Sequence, residues 1–225
     1  MASRDFRTAS VAGLSAIETN KVLKNTYLLL SATLGFSAVM AALSMSMGLP
    51  FGTYFICLIA SMLLGMFVLP RTANSGSGIG VIFLVTGLLG FGLGPIVGMY
   101  MATSNGAQLV ATALGGTAVM FLGLSAYAIT SRRDFSFMTG FLMVGTLVGL
   151  VLFLGNAFLF KLPLLHVGLC AFFIVVSSGF ILWQTGQIVR GGETNYIIAT
   201  YSLFTSFFSI FIYLLQILGF ASGDD

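Results

Sequence analysis

Side chains that titrate, ligate metals or attack carbonyls are scarce in this chain. It has one histidine, His166, and two cysteines, Cys57 and Cys170. No His/Cys/Asp/Glu group has metal-ligand spacing, so no metal and no cofactor is expected. Ser125, within Gly123-Leu124-Ser125-Ala126, and His166 are the types a serine nucleophile and its base would need. A retinal protein needs a Schiff-base lysine in a helix, and the last apolar run has none. Proton and cation pumps keep Asp, Glu, His or Arg inside the bilayer. Here the nine Lys and Arg and the six Asp and Glu all fall outside the apolar runs. That completeness argues against a proton relay and against an enzyme.

Uncharged polar residues remain. In the last apolar run Ser202, Ser206, Ser209, Tyr213 and Gln216 follow i, i+4, i+7, i+11, i+14, which is one continuous helix face, with Thr205 beside it. Ser177 and Gln184 share a face of the preceding run. A polar stripe turned to lipid is costly, so both faces should point inward. There they either hydrogen-bond between helices, at ~0.6 kcal/mol per bond on average, or line a central cavity.

The elements that hold these residues follow from composition. The 225 residues are 58% hydrophobic and 7% charged, against roughly 25% charged in a soluble domain. Lipid must be the solvent for most of the chain. The net charge of +3 sits in loops, where it orients the protein and gives no reason to expect nucleic acid. Seven apolar runs are long enough to span: Tyr27–Leu49, Gly52–Leu69, Ile79–Met101, Ala107–Thr130, Phe137–Leu159, Leu164–Thr185 and Tyr196–Leu218. Short turns separate them, so neighbouring helices should be antiparallel. The expected fold is an all-α membrane protein: a tail over 1–26, partly disordered at Thr8–Gly13, then a seven-helix domain over 27–225. The polar first 26 residues do not read as a cleavable signal.

Counting Lys and Arg sets the orientation. Arg4, Arg7, Lys21, Lys24, Arg71, Arg132, Arg133 and Arg190 share one side, and Lys161 stands alone on the other. The N-terminus should be cytoplasmic and the C-terminus outside. This topology separates the candidate dyad. Ser125 lies ~27 Å inward from the outer start of the fourth helix at 1.5 Å per residue, whereas His166 stays near the outer surface. His166 is then an interfacial residue and Ser125 a small packing residue. Cys57 and Cys170 lie at similar depth, which permits a disulfide without implying one. Gly90, Gly94 and Gly98 recur every four residues in the third helix, the pattern of close helix packing in lipid. Pro95 in that stripe should kink the helix.

Several motifs together resemble the Bax inhibitor-1 family, most closely its bacterial YccA-type branch, from about Asn20 to Ser222. They are Asn20-Lys21-Val22-Leu23-Lys24-Asn25-Thr26-Tyr27, Arg132-Arg133-Asp134-Phe135-Ser136-Phe137, Leu162-Pro163-Leu164-Leu165-His166, Gly191-Gly192-Glu193-Thr194-Asn195-Tyr196-Ile197 and Leu218-Gly219-Phe220-Ala221-Ser222. The resemblance implies a central seventh helix wrapped by the other six. Calcium-leak members of that family carry two aspartates that form a pH-sensitive latch with an arginine. Here Gln184 and Ser206 stand at the matching positions, and Arg71 matches the arginine only loosely. A glutamine and a serine cannot titrate, and calcium prefers charged oxygen ligands. No latch of that kind is expected.

The branch resembled lacks the acidic pair too. It implies an inner-membrane regulator that binds an FtsH-type ATP-dependent membrane protease, as brake and as substrate. Met1–Ser15 has the character of a segment such a protease could begin to pull. The rival expectation is a weak cation (calcium) leak lined by Ser202, Ser206, Ser209 and Gln184, with Gln216 on the same stripe. A possible homo-oligomer fits either reading.

Overall fold

The computed structural model describes the backbone of residues 2–131 and 133–223, and side chains from residue 18 onward within those limits. Seven helices in it are long and apolar enough to cross a membrane, and the described residues contain no strand. They are α1 (Ala2–Ser46), α2 (Gly52–Thr72), α3 (Ser77–Met101), α4 (Gly106–Ser131), α5 (Met138–Phe160), α6 (Pro163–Val189) and α7 (Tyr196–Ala221). Six of the expected runs match these with ends moved by at most four residues, whereas α1 starts at Ala2, well before Tyr27. The spanning part of α1 is Glu18–Ser46, and no change in the backbone marks a boundary at residue 26. The side chains of the expected cytoplasmic tail up to residue 17 lie outside the described residues.

Local chemistry sets the helix ends. Gly48 takes φ 62, a left-handed conformation open to glycine, and Pro50 follows, so α1 cannot continue. Gly191, at φ 74, ends α6 in the same way. Asn195 caps α7, its Oδ1 accepting from the N–H groups of Ile197 and Ile198 at 2.9 and 3.2 Å. The α5–α6 turn is made differently. Lys161 itself is left-handed, at φ 51. The Asn156 amide holds that turn on both sides, donating to the Leu162 carbonyl at 3.2 Å and accepting from the Leu162 N–H at 3.0 Å. Pro163 then opens α6 at a position that needs no N–H donor.

The helices do not pack equally. α3 is the most enclosed span, held between α1 and α2. A Cβ on Gly90 would collide with the Ser37 carbonyl. One on Gly94 would lie 2.7 Å from the Ala41 carbonyl. The glycine stripe is thus the α1–α3 seam, tight at Gly90 and Gly94 and looser at Gly98, where the nearest atom is Met45 Cγ at 3.4 Å. Helical structure continues through Pro95.

α7 lies along α6, α4 and α1, with a lighter contact to α3. α2 reaches α7 near the Arg71 end, where Tyr201 covers Gly65 and Leu69 clusters with Ile197. α5 packs on α6 by setting Gly149 against Phe172 and Phe173. The packing therefore does not give an even wrap of six helices around α7. The close approach at Gly149 holds α5 on α6 and leaves a cleft between α5 and α7.

Candidate functional site

The polar stripe of α7 borders a lateral cleft of about 370 Å³ between α5, α6 and α7. Ser202, Thr205, Ser206, Ser209 and Tyr213 line it from α7, Ser177 from α6 and Thr146 from α5; Phe173, Val176 and Phe180 make its apolar wall. The hydroxyl donors that are engaged turn back to their own helices. Thr205 donates to the Tyr201 carbonyl at 2.9 Å, Ser206 to Ser202 at 3.0 Å and Thr146 to Leu142 at 2.7 Å. None of these side chains bonds across helices among the described residues. Contact between helices lies elsewhere, as where the Thr200 hydroxyl, bonded to the Tyr196 carbonyl of its own helix at 2.7 Å, also reaches the Thr26 carbonyl of α1 at 3.2 Å. Oxygen lone pairs are left facing the cleft, a surface suited to water or to a donor-bearing partner.

Gln184, Ser206 and Arg71, the residues compared with the family's latch, are not joined. Gln184 is 3% exposed, its Nε2 has no partner, and it lies outside the cleft. Ser206 is turned to Ser202. Arg71 is exposed, and its Nη1 donates to the Phe67 carbonyl of its own helix at 2.6 Å. Ser125 is buried with its hydroxyl unpartnered, and His166 bonds to other groups, so the two are not a dyad. Both cysteines are free thiols.

Gln216 leaves the rest of its stripe. Its Oε1 lies 2.7 Å from His166 Nε2, and Cys170 Sγ stands 3.7 Å from the same nitrogen and 3.8 Å from the same oxygen. This trio was not anticipated, although His166 and Cys170 are spaced i, i+4, which puts them on one helix face.

A second set of polar ties runs along the basic end. Arg190, just past α6, pairs with Asp134 of the α4–α5 loop at 2.6 Å and donates to Ser136 Oγ at 2.9 Å. The Arg190 hydrogen bond, helped by the Ser136 N–H at 2.7 Å and its hydroxyl, holds the Asp134 carboxyl well below the usual carboxylate range. The same bond raises the Arg190 guanidinium. Asn195 Nδ2 reaches the α2–α3 loop, donating to the Ala73 carbonyl at 3.1 Å and to Asn74 Oδ1 at 2.8 Å. Glu193 stays in its loop, its Oε1 accepting from the Asn195 N–H at 2.8 Å. Charge therefore sits on this rim, away from the span centres.

Seven apolar helices, with charge confined to their ends among the described residues, define a multi-pass helical membrane protein. The family model described as "Inhibitor of apoptosis-promoting Bax1" matches residues 19–223, and the chain belongs to that family. It is 49% identical over 210 residues to the Escherichia coli K12 protein named "Modulator of FtsH protease YccA", covering 93% of this chain and 94% of that one. The counterpart in a second E. coli strain, equally similar, is named "Inner membrane protein YccA". A Vibrio cholerae membrane protein is 44% identical over 219 residues, 97% of each chain.

Proposed function

We propose that this protein is a non-catalytic regulator in a bacterial inner membrane that binds, modulates and is itself degraded by an FtsH-type ATP-dependent protease. Its N-terminus is cytoplasmic and its C-terminus periplasmic. The observation that carries the reading is the near full-length similarity to a protein named as modulator of that protease. The physical setting agrees with it. No ionisable group lies near a span centre among the described residues, apart from phenol and thiol groups, so contact is the means left to it. Eight of nine basic residues fall on the side assigned to the cytoplasm.

The experiment is co-purification of the full chain with the protease from native membranes, followed by turnover measurements. The protease should be captured. Removing residues 1–15 should slow degradation while leaving insertion and capture intact. Failure to capture the protease contradicts the binding, and unchanged turnover of the shortened chain contradicts the role of the tail.

The lateral cleft favours a second reading, a weak calcium leak without the acidic latch. Calcium flux in proteoliposomes between pH 6 and 8 separates the two. The regulator gives no flux, and a leak lined by hydroxyls gives a flux that does not vary with pH. A steep pH dependence would contradict both, because Gln184 and Ser206 cannot titrate.

A further inference from the structure

The trio of His166, Cys170 and Gln216 has no part in that reading. His166 opens α6 three residues past Pro163, and Cys170 lies one turn deeper and is fully buried. A cavity of about 340 Å³ opens at the Lys161 end, with His166 in its wall beside Asn156, Leu162 and Phe220. The imidazole thus stands between an open cavity and an enclosed thiol.

The geometry excludes a thiol nucleophile activated as in a Cys–His pair oriented by an amide. Such a relay uses both ring nitrogens, one for sulfur and one for the amide. Here Cys170 and Gln216 approach the same Nε2. The spacing suits a shared ion instead. Metal bonds of about 2.0 Å to nitrogen and about 2.3 Å to sulfur separate the two donors by about 3.6 Å at a tetrahedral angle and about 4.3 Å in line. The observed 3.7 Å is also an S–H···N hydrogen-bond separation and corresponds to an angle of about 120°, so an ion held in line by these two donors alone would draw them about 0.5 Å further apart.

We propose that His166 Nε2 and Cys170 Sγ bind one monovalent soft cation, Cu(I), admitted from the Lys161 end. Three arguments select the ion. Thiolate and imidazole are soft or borderline ligands that favour Cu(I). Zinc seeks four ligands, and the described residues offer no third His, Cys, Asp or Glu here. Charge decides most. Binding releases one proton from the Cys170 thiol, so thiolate plus a monovalent ion is neutral. A divalent ion would leave a net positive charge in an apolar site, at a high desolvation cost. The His166 proton moves to Nδ1, freeing Nε2, and the Gln216 amide turns aside because 2.7 Å is too short for both groups to ligate one ion. Lys161 at the cavity is exposed, so solvent screens its repulsion.

The test uses the full chain in detergent micelles, with Ag⁺ and with Cu(I) kept reduced, counted by native mass spectrometry. One ion per chain is expected, retained in Cys57→Ser and absent in Cys170→Ser. His166→Phe should weaken binding at least tenfold, and a large excess of Zn²⁺ should not displace the ion. Should Cys170→Ser fail to fold, X-ray absorption of the Cu(I)-loaded unaltered protein gives the answer. One sulfur and one nitrogen neighbour support the site. No bound ion, equal binding by Cys170→Ser, loss on Cys57→Ser, or two sulfur neighbours would overturn it.

Discussion

The α1–α3 seam and the α5–α7 face are built from the same kinds of residue and end in opposite states. On α3, Gly90 and Gly94 bring α1 so close that a methyl group would strike its backbone. On α7, Ser202, Ser206 and Ser209 leave an open cleft with no bond across helices among the described residues. In lipid no hydrophobic force drives helices together, so dispersion at close backbone approach must do it. The seam has that approach and the cleft does not. The first region holds the fold together, and the second is free to meet something else.

The sharpest way to break this comparison is to place a side chain in each region. Gly94→Leu should unfold at a clearly lower temperature in detergent, the loss being about 1–3 kcal/mol or more for overpacking against backbone. Gly115→Leu, on the outer face of α4 where an added Cβ meets nothing within 4 Å, should leave the unfolding temperature nearly unchanged. Equal losses would mean that the seam is nothing special.

A smaller effect separates hydroxyls that tie helices from those that do not. Thr200→Val removes a hydroxyl shared between the Tyr196 carbonyl of α7 at 2.7 Å and the Thr26 carbonyl of α1 at 3.2 Å, and should cost about 0.6 kcal/mol. Ser202→Val and Ser209→Val should cost less than that or stabilise slightly, measured by the same unfolding scan. A larger loss at Ser202 or Ser209 would show that the cleft closes in the membrane.

The smallest effect belongs to the basic rim. Asp134 titrates lower in the folded protein, so its pairing with Arg190 stabilises above the unfolded carboxylate value of about 3.9. That contribution disappears as pH falls through the folded value. Asp134→Asn should therefore lower the unfolding temperature slightly at pH 7, and the difference from the unaltered protein should close in strong acid. Because the pair is exposed, added salt should shrink it as well.

Much of this was legible in the sequence for a simple reason. Spanning helices must be long and apolar, so the starts at Gly52 and Tyr196 could be read directly, whereas the first run was carried to Leu49, past the left-handed Gly48 that ends α1. The four-residue glycine spacing on α3 announced a tight seam, because on a helix that spacing is one face. Partner choice was harder to read. Periodicity puts Gln216 on the stripe of Ser202 and Ser209, yet its long side chain reaches His166 instead. The i, i+4 pair of His166 and Cys170 was visible, but the third member comes from another helix, and only packing joins them. Likewise, nothing in the α5 sequence alone says that it prefers Phe172 and Phe173 of α6 to the hydroxyls of α7.

The central claim is regulation by contact, without chemistry or ion flow. Its most direct test is to reconstitute the purified protein with an FtsH-type protease and follow degradation of a different membrane substrate. The account predicts that substrate turnover slows in proportion to the protein added, in the absence of any ion gradient. Unchanged turnover at saturating protein would contradict it.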